Sequence, residues 1–198
     1  AAGVVDGDLK PSNILVDAAG RARVMDFGIA ARLHKLQAAN GADVQGGTVG
    51  YLSPEAANGA VPTPAMDVFS AALVLVELLA GKPLVDATDP YRAVYRVVQE
   101  QLTLPRELDG RIDDRLRAIL LHALARDPAQ RFADAKAFLA QLQAWAKPAD
   151  GDSSTDTASS GTLDFLLRRM RHKSDFPALS DSVVRIQALA SSDTESVN

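Results

Sequence analysis

One segment constrains the fold more than any other, the run MDVFSAALVLVELLAGKP at residues 66–83. Its apolar residues fall on all sides of a helical wheel, and a helix that is apolar all round is a buried one. Gly81 and Pro83 predict where the helix stops. The run contains Glu77 and is too short to span a bilayer. It therefore predicts a helix at the centre of a globular domain.

A small hairpin is predicted upstream of this helix. Residues 14–16 are apolar and read as a short strand, and residues 21–25 read as a returning strand. The intervening DAAG segment is a predicted turn, since Asp17 and Gly20 are suitable turn residues.

Three further segments carry apolar residues at helical spacing, which predicts amphipathic surface helices. The first has Asp89 as a plausible N-cap and Pro90 at the first helical position. The segments are DPYRAVYRVVQEQL, IDDRLRAILLHALARDP and ADAKAFLAQLQAW. Together with the hairpin they predict a mainly α fold with a small β-hairpin.

The composition changes after residue 146. Residues 147–161, KPADGDSSTDTASSG, are rich in Ser, Thr, Asp and Gly, which is typical of a flexible linker. Apolar residues at helical spacing return in residues 162–198. The predicted organisation is one domain over residues 1–146, a linker over 147–161 and a short helical tail over 162–198.

Charge and composition exclude several function classes. The net charge is −4, so no overall basic field favours nucleic acid, and the chain has no cysteine for a disulfide or a thiolate site. No segment indicates a membrane partner. We expect a cytoplasmic protein, and the sequence leaves its oligomeric state open.

Three separated segments carry residues suited to chemistry. The first, DLKPSN, places Asp8, Lys10 and Asn13 in a short polar loop before an apolar strand, which suits the handling of phosphate. The second is DFG at residues 26–28, where the returning strand ends, and the third is GTVGYLSPE at residues 47–55. The hairpin is expected to bring Asn13 close to the second segment.

These segments, in this order before an apolar helix that starts with Asp67, resemble those of protein kinases, specifically the large C-terminal lobe. The resemblance implies a protein-kinase-like C-terminal lobe and a parent that transfers the γ-phosphate of ATP to protein hydroxyl groups in signal transduction. Lys10 and Thr48 point to serine or threonine as the acceptor. The implied partners are ATP, Mg²⁺ and a protein substrate.

The resemblance also implies a role for each site residue. Asp8 would accept or orient the proton of the substrate hydroxyl, and Lys10 would reach the transferring phosphate. Asn13 and Asp26 would supply oxygen ligands to magnesium, a hard cation. Leu15 would form part of the apolar floor under the adenine. Thr48 would make a hydrogen bond within the catalytic site.

Two matches are structural. Glu55 and Arg131 resemble an ion pair that closes the activation segment; in the alternative, Arg131 merely caps a helix end. If the pair is buried, losing one partner costs about 3–5 kcal/mol. Asp67 resembles the residue that tethers the catalytic loop; in the alternative, it is an ordinary carboxylate favoured by the helix dipole.

The chain departs from the family where Asp6-Gly7-Asp8 replaces the usual His-Arg-Asp. Asp6 cannot stack on Phe27 as the histidine does, and Gly7 has no cation with which to grip a phosphorylated loop. These departures keep open an alternative, a catalytically weak pseudokinase that acts as a signalling scaffold.

The sequence also lacks the glycine-rich loop, strand lysine and helix glutamate of the small lobe. We therefore expect a fragment of a longer bacterial serine/threonine kinase, with negligible activity on its own. The segment DFPALSDSVVRIQALAS resembles the start of an HDOD domain, a helical signalling module; the alternative is an unspecific amphipathic tail.

Overall fold

The computed structural model describes residues 5–17, 21–25 and 49–147. These residues form two strands and five α-helices, joined by loops and short 3-10 turns. The strands are β1 (Ile14–Val16) and β2 (Ala22–Val24). The helices are α1 (Pro54–Ala57), α2 (Pro64–Ala80), α3 (Pro90–Gln99), α4 (Asp114–Ala123) and α5 (Ala135–Ala146). The fold is mostly helical with a small two-stranded antiparallel sheet, as predicted.

The hairpin pairs β1 with β2 in an antiparallel register in which Leu15 lies opposite Arg23. Asp17 stabilises its turn, because its Oδ1 accepts the Arg21 backbone N–H at 2.9 Å. Ile14 is buried against Val74 and Leu78 of α2. The hairpin is therefore attached to the central helix through one face of β1.

Helix α2 is the core of the domain, as its apolar sequence predicts. Eleven of its residues are buried, and it packs against both α4 and α5. Gly81 ends it with φ of 86°, a left-handed conformation that glycine adopts without strain, and its N–H donates to the carbonyl of Glu77 at 2.7 Å.

The three surface helices each begin with an aspartate N-cap, at Asp89, Asp113 and Asp134. Each carboxylate accepts backbone N–H groups of the first turn, which confirms the prediction for Asp89. Helix α3 ends at Gln99, three residues before the end of the predicted segment, and Leu102 is buried in the loop that follows.

The ends of α4 and α5 are joined by side chains. Trp145 near the end of α5 donates its indole N–H to Oδ2 of Asp113 at 2.8 Å, while Oδ1 of the same aspartate accepts the N–H of Leu116 at 2.6 Å. Asp113 thus caps the start of α4 and also accepts a hydrogen bond from α5.

Residues 148–198 lie outside the described part of the chain. The predicted linker, except Lys147, and the whole predicted tail belong to this part and stay predictions. Among the described helices, none combines the length and apolar character needed to cross a membrane.

Candidate active site

The DLKPSN segment forms a loop that leads into β1. Pro11–Asn13 make a 3-10 turn, and the N–H of Asn13 donates to the carbonyl of Lys10 at 3.0 Å. Before the turn, Gly7 has φ of 75°, a conformation that favours glycine. The chain therefore bends at Gly7 and turns again at Pro11–Asn13 before it enters β1.

Asp8, Lys10 and Asn13 contact one another in this loop. Oδ2 of Asp8 accepts from the Lys10 ammonium at 2.8 Å and from the Asn13 amide at 3.3 Å. The Asn13 amide also donates to the Asp8 carbonyl at 3.0 Å. Oδ1 of Asp8 is buried and has no hydrogen-bond partner in the described structure. The two oxygens of one carboxylate are thus in different environments.

Asp67, in the first turn of α2, binds the backbone of the loop through its carboxylate. Its Oδ2 accepts the backbone N–H of Asp6 at 2.8 Å, and its Oδ1 accepts that of Gly7 at 2.9 Å. Because both oxygens bind the loop, the predicted tether is confirmed. Burial raises the pKa of Asp67, and the bonds from Gly7 and Asp6 offset part of this increase.

Asp6, at the position where the resemblance implies a histidine, is buried, with only 4% of its surface exposed. Its backbone is held by Asp67, so the substitution leaves the path of the loop supported. Phe27, the residue with which a histidine would stack, lies outside the described ranges.

A second wall of the site is formed by the 3-10 turn Val49–Tyr51, which packs against α2. The Tyr51 hydroxyl donates to Oε2 of Glu77 at 2.5 Å, and the Tyr51 carbonyl accepts from the hydroxyl of Ser70 at 2.7 Å. A cavity of about 30 Å³ lies between this wall and the loop, and its lining includes Asp8, Tyr51 and Ser70.

Sequence reasoning missed the roles of Tyr51, Ser70 and Glu77. A signal was available, because Ser70 and Glu77 are polar residues inside an otherwise apolar helix. Both are buried in the structure. Buried polar groups require partners, so their positions indicated that something polar packs against α2 there.

The predicted pairing of Glu55 with Arg131 is confirmed. The guanidinium makes two contacts of 2.6 Å with the carboxylate, and the Arg131 side chain is completely buried. Its carbon centre also lies 4.8 Å from the ring centroid of Phe69 in α2. The pair joins α1 to the loop before α5, so Arg131 does more than cap a helix end.

Of the three remaining predicted site residues, the structure describes one. Leu15 is half-buried in β1, and alternation along a strand puts it on the opposite face from Ile14. Asp26 and Thr48 lie outside the described residues. Met25, the neighbour of Asp26, donates its N–H to the carbonyl of Asn13 at 2.8 Å.

The side chains of the loop can be compared with the ligands that magnesium prefers. The Asn13 amide nitrogen donates to Asp8, so its amide oxygen is the atom suited to a hard cation. Within the described ranges, no group of three or more His, Cys, Asp or Glu residues forms a metal site. Asn13 therefore fits as one ligand, and the predicted carboxylate ligand, Asp26, follows the strand paired with β1.

The chain is similar in sequence to known proteins. A family model described as the protein kinase domain matches residues 1–143. The chain is 36% identical over 147 residues to a probable serine/threonine-protein kinase of Corynebacterium efficiens, covering 72% of this chain and 22% of the relative. It is 35% identical over 140 residues to the serine/threonine-protein kinase PknB of Mycobacterium leprae, covering 71% and 22%.

A probable serine/threonine-protein kinase of Streptomyces coelicolor is 34% identical over 164 residues, which cover 82% of this chain and 24% of that protein. The chain spans less than a quarter of the length of these relatives.

Proposed function

The chain belongs to the protein kinase family, and from this premise we propose that it supplies the C-terminal lobe of a serine/threonine protein kinase. The complete protein would transfer the γ-phosphate of ATP to a serine or threonine hydroxyl of a protein substrate. One observation carries the proposal: the loop tethered by Asp67 presents a half-buried Asp8 with one oxygen bound by Lys10 and Asn13 and the other, Oδ1, without a partner among the described residues.

Asp8 is the proposed catalytic base. Oδ2 is held by Lys10 and Asn13, which orients the carboxylate. The Asp8 side chain is 23% exposed, and its carboxylate accepts the hydrogen bond of the substrate hydroxyl. As the hydroxyl oxygen bonds to the γ-phosphorus, its proton passes to Asp8, and the phosphorus–oxygen bond to the departing ADP breaks.

Lys10 supplies positive charge next to the reacting groups. Its ammonium lies 2.8 Å from Asp8, and its side chain is 21% exposed, so it is open to a substrate phosphate. Phosphoryl transfer depends mainly on positioning and on neutralising charge on the transferred group. A cation fixed beside the base serves both needs.

The magnesium ligands in this proposal are Asn13 and Asp26. Magnesium, when bound, neutralises charge on the phosphates and orients them for in-line transfer. The backbone bond between Met25 and Asn13 supports the proximity of the two ligands, because it joins the residue before Asp26 to Asn13. Leu15 under the adenine and Thr48 within the catalytic site complete the proposed set.

The domain arrangement is proposed with the function. Residues 1–146 would be the large lobe, 147–161 a linker and 162–198 the start of an HDOD-like signalling module. The first part is supported by the family match over residues 1–143. The HDOD-like identity is supported by the sequence resemblance of the segment DFPALSDSVVRIQALAS.

The test is phosphoryl transfer by the complete protein with radiolabelled ATP, magnesium and a generic basic protein as acceptor. Asp8→Asn should lower kcat by about 10²–10⁴-fold, the usual contribution of a general base. Asp109→Asn is a matched control, because the Asp109 side chain is 65% exposed and, in the described part of the chain, contacts Arg117 alone. This variant should keep wild-type activity.

Both variants should unfold at the temperature of the wild type, which separates loss of chemistry from loss of fold. If Asp8→Asn keeps near wild-type turnover, or if the wild type transfers no phosphate while it binds protein partners, the scaffold alternative replaces the kinase.

A further inference from the structure

A second cavity, of about 470 Å³, opens between α1, the end of α3 and the loop at residues 126–130. Its lining shares no residue with that of the small cavity beside Asp8. A volume of this size lies within the usual range of ligand sites, about 300–1,000 Å³. The second cavity is therefore a candidate binding site separate from the catalytic loop.

Three carboxamide side chains line this cavity, Asn58 in α1, Gln101 after α3 and Gln130 in the loop before α5. The Asn58 amide nitrogen donates to the Pro54 carbonyl at 2.9 Å, whereas the contacts of the Gln101 amide nitrogen, at 3.4 and 3.5 Å, are long for hydrogen bonds. Each carboxamide offers both donors and acceptors. The lining therefore suits the peptide groups and hydroxyl groups of a polar segment of chain.

Among the charged side chains of the lining, Arg126 has the most unused hydrogen-bonding capacity. Both oxygens of Glu55 are bound by Arg131, and Oδ1 of Asp127 accepts a backbone N–H of the turn that follows it at 2.9 Å. Among the described residues, the Arg126 guanidinium makes one contact, from Nη1 to the Gln99 carbonyl at 3.4 Å. Because a guanidinium has five N–H donors, Arg126 can bind a carboxylate from an incoming segment.

Part of the predicted linker has matching chemistry and sufficient reach. Residues 150–156, DGDSSTD, carry three carboxylates and three hydroxyl groups and no Lys or Arg. Helix α5 ends at Ala146 and is about 18 Å long, whereas nine residues of extended chain span up to about 30 Å. Residues 148–156 can therefore run back along α5 toward Gln130, which lies five residues before α5 begins.

We propose that residues 150–156 bind in this cavity of the same molecule, with an aspartate on the Arg126 guanidinium and hydroxyl groups on Asp127 and the carboxamides. Lys136 is exposed and is the one charged residue of α5, so no carboxylate of that helix repels the segment on its way. The bound segment covers Glu55, whose side chain is 17% exposed and lines the cavity. This role goes beyond the proposed kinase function and does not depend on phosphoryl transfer.

Disulfide trapping tests the binding in the whole 198-residue chain, which has no native cysteine. Gln130→Cys places one thiol in the cavity lining, and Ser153→Cys places the second thiol in the segment. The matched control combines Ser153→Cys with Asp109→Cys. Asp109 is 65% exposed and lies four residues before Asp113, which binds Trp145 near the end of α5. An unbound segment starts from that end of α5 and meets Asp109 at least as often as Gln130.

The rate of disulfide closure with oxidised glutathione is divided by the reactivity of each single cysteine, which corrects for exposure. The Gln130→Cys/Ser153→Cys chain should close at least tenfold faster than the control. Arg126→Gln should slow this closure at least fivefold, whereas Arg126→Lys, which keeps the charge, should stay within threefold. Both variants should unfold at the temperature of the parent chain, because Arg131 contacts the backbone carbonyl of Arg126 and not its side chain.

Closure no faster than in the control, or an unchanged rate in Arg126→Gln, would overturn the proposal. Gel electrophoresis without reductant separates closed monomers from linked dimers. Dimers in place of closed monomers, in an amount that rises with protein concentration, would show that the segment binds a second molecule and would refute binding within one chain.

Discussion

Replacing Glu55 by glutamine should lower the free energy of unfolding by about 3 kcal/mol, because it leaves a buried guanidinium without its counter-charge. The Arg131 side chain has no exposed surface, so water cannot take the place of the carboxylate. Glutamine has nearly the same shape but turns one acceptor into an N–H group that faces another N–H group. Glu55→Gln therefore removes the counter-charge of Arg131 and also places two N–H donors against each other.

The magnitude follows from what remains around Arg131. Two of its five hydrogen bonds go to Glu55, at 2.6 Å each. The others go to the backbone carbonyls of Ala65, Ala125 and Arg126. Breaking a buried pair costs about 3–5 kcal/mol. The surviving carbonyl contacts and the 17% exposure of the Glu55 side chain place the value at the lower end.

Urea unfolding of the chain, followed by the fluorescence of its single tryptophan, Trp145, measures this loss. With a slope of about 2 kcal/mol per molar urea, 3 kcal/mol lowers the midpoint by about 1.5 M. Glu107→Gln is the matched control. Its carboxylate contacts Lys82 at 2.5 Å, but the two side chains are 45% and 59% exposed. Solvent screens such a pair, so the control midpoint should not move.

The Glu55–Arg131 and Glu107–Lys82 contacts have nearly equal lengths. A difference between the two variants therefore measures the effect of burial on the strength of an ion pair. If Glu55→Gln shifts the midpoint no more than Glu107→Gln, then burial does not set the strength of the Glu55–Arg131 pair and the reasoning is wrong.

Three further outcomes are expected. Burial raises the pKa of Asp67, so the folded state binds the Asp67 proton more tightly than the unfolded state does. The stability that Asp67 contributes is therefore greatest at a pH below the ordinary pKa of 3.8, and it declines as the pH rises through the raised pKa. The difference in unfolding free energy between wild type and Asp67→Asn should therefore decrease with pH over this window, and an increase would contradict the assignment. Trp145→Phe should cost about 1–3 kcal/mol in thermal unfolding followed by circular dichroism, because the carboxylate of Asp113 loses the indole N–H. Asp113→Ala should cost more, since it also removes the N-cap of α4, and the reverse order would refute the shared role. Residues 27–47 contain no Ser, Thr or Tyr, so phosphatase treatment of the complete protein should leave its activity intact; a phosphate found by mass spectrometry within residues 29–52 whose removal abolishes activity would disprove this.

Local pattern predicted most of the secondary structure. The apolar run gave the buried helix, and Asp89 and Gly81 marked where helices begin and end, because caps and turns depend on neighbouring residues alone. The end of α3 was misplaced. Leu102 fits the helical spacing, yet it lies in the loop that follows α3 and is buried there. Hydrophobic periodicity cannot distinguish a leucine that is buried from a helix from one that is buried from a loop.

Within the candidate site, spacing brought Asp8, Lys10 and Asn13 together correctly, since they lie within six residues of one another. The contacts of Asp67 with the loop and of Glu55 with Arg131 span 60 to 76 residues, and they were predicted only because their segments resemble a known family. Pattern alone would have left Asp67 as an ordinary residue near the start of a helix.

By itself, then, the sequence determined the elements, the chemistry-bearing loop and the apolar helix on which the domain is built, because these depend on residues close together in the chain. Only the tertiary structure decided that Ser70 and Glu77 bind Tyr51, that one oxygen of Asp8 meets no partner among the described residues, and that Asp113 binds both α4 and α5. These facts depend on which buried polar atoms meet when distant segments pack. That outcome is set by the requirement that the whole core be filled and its polar groups be bonded at once.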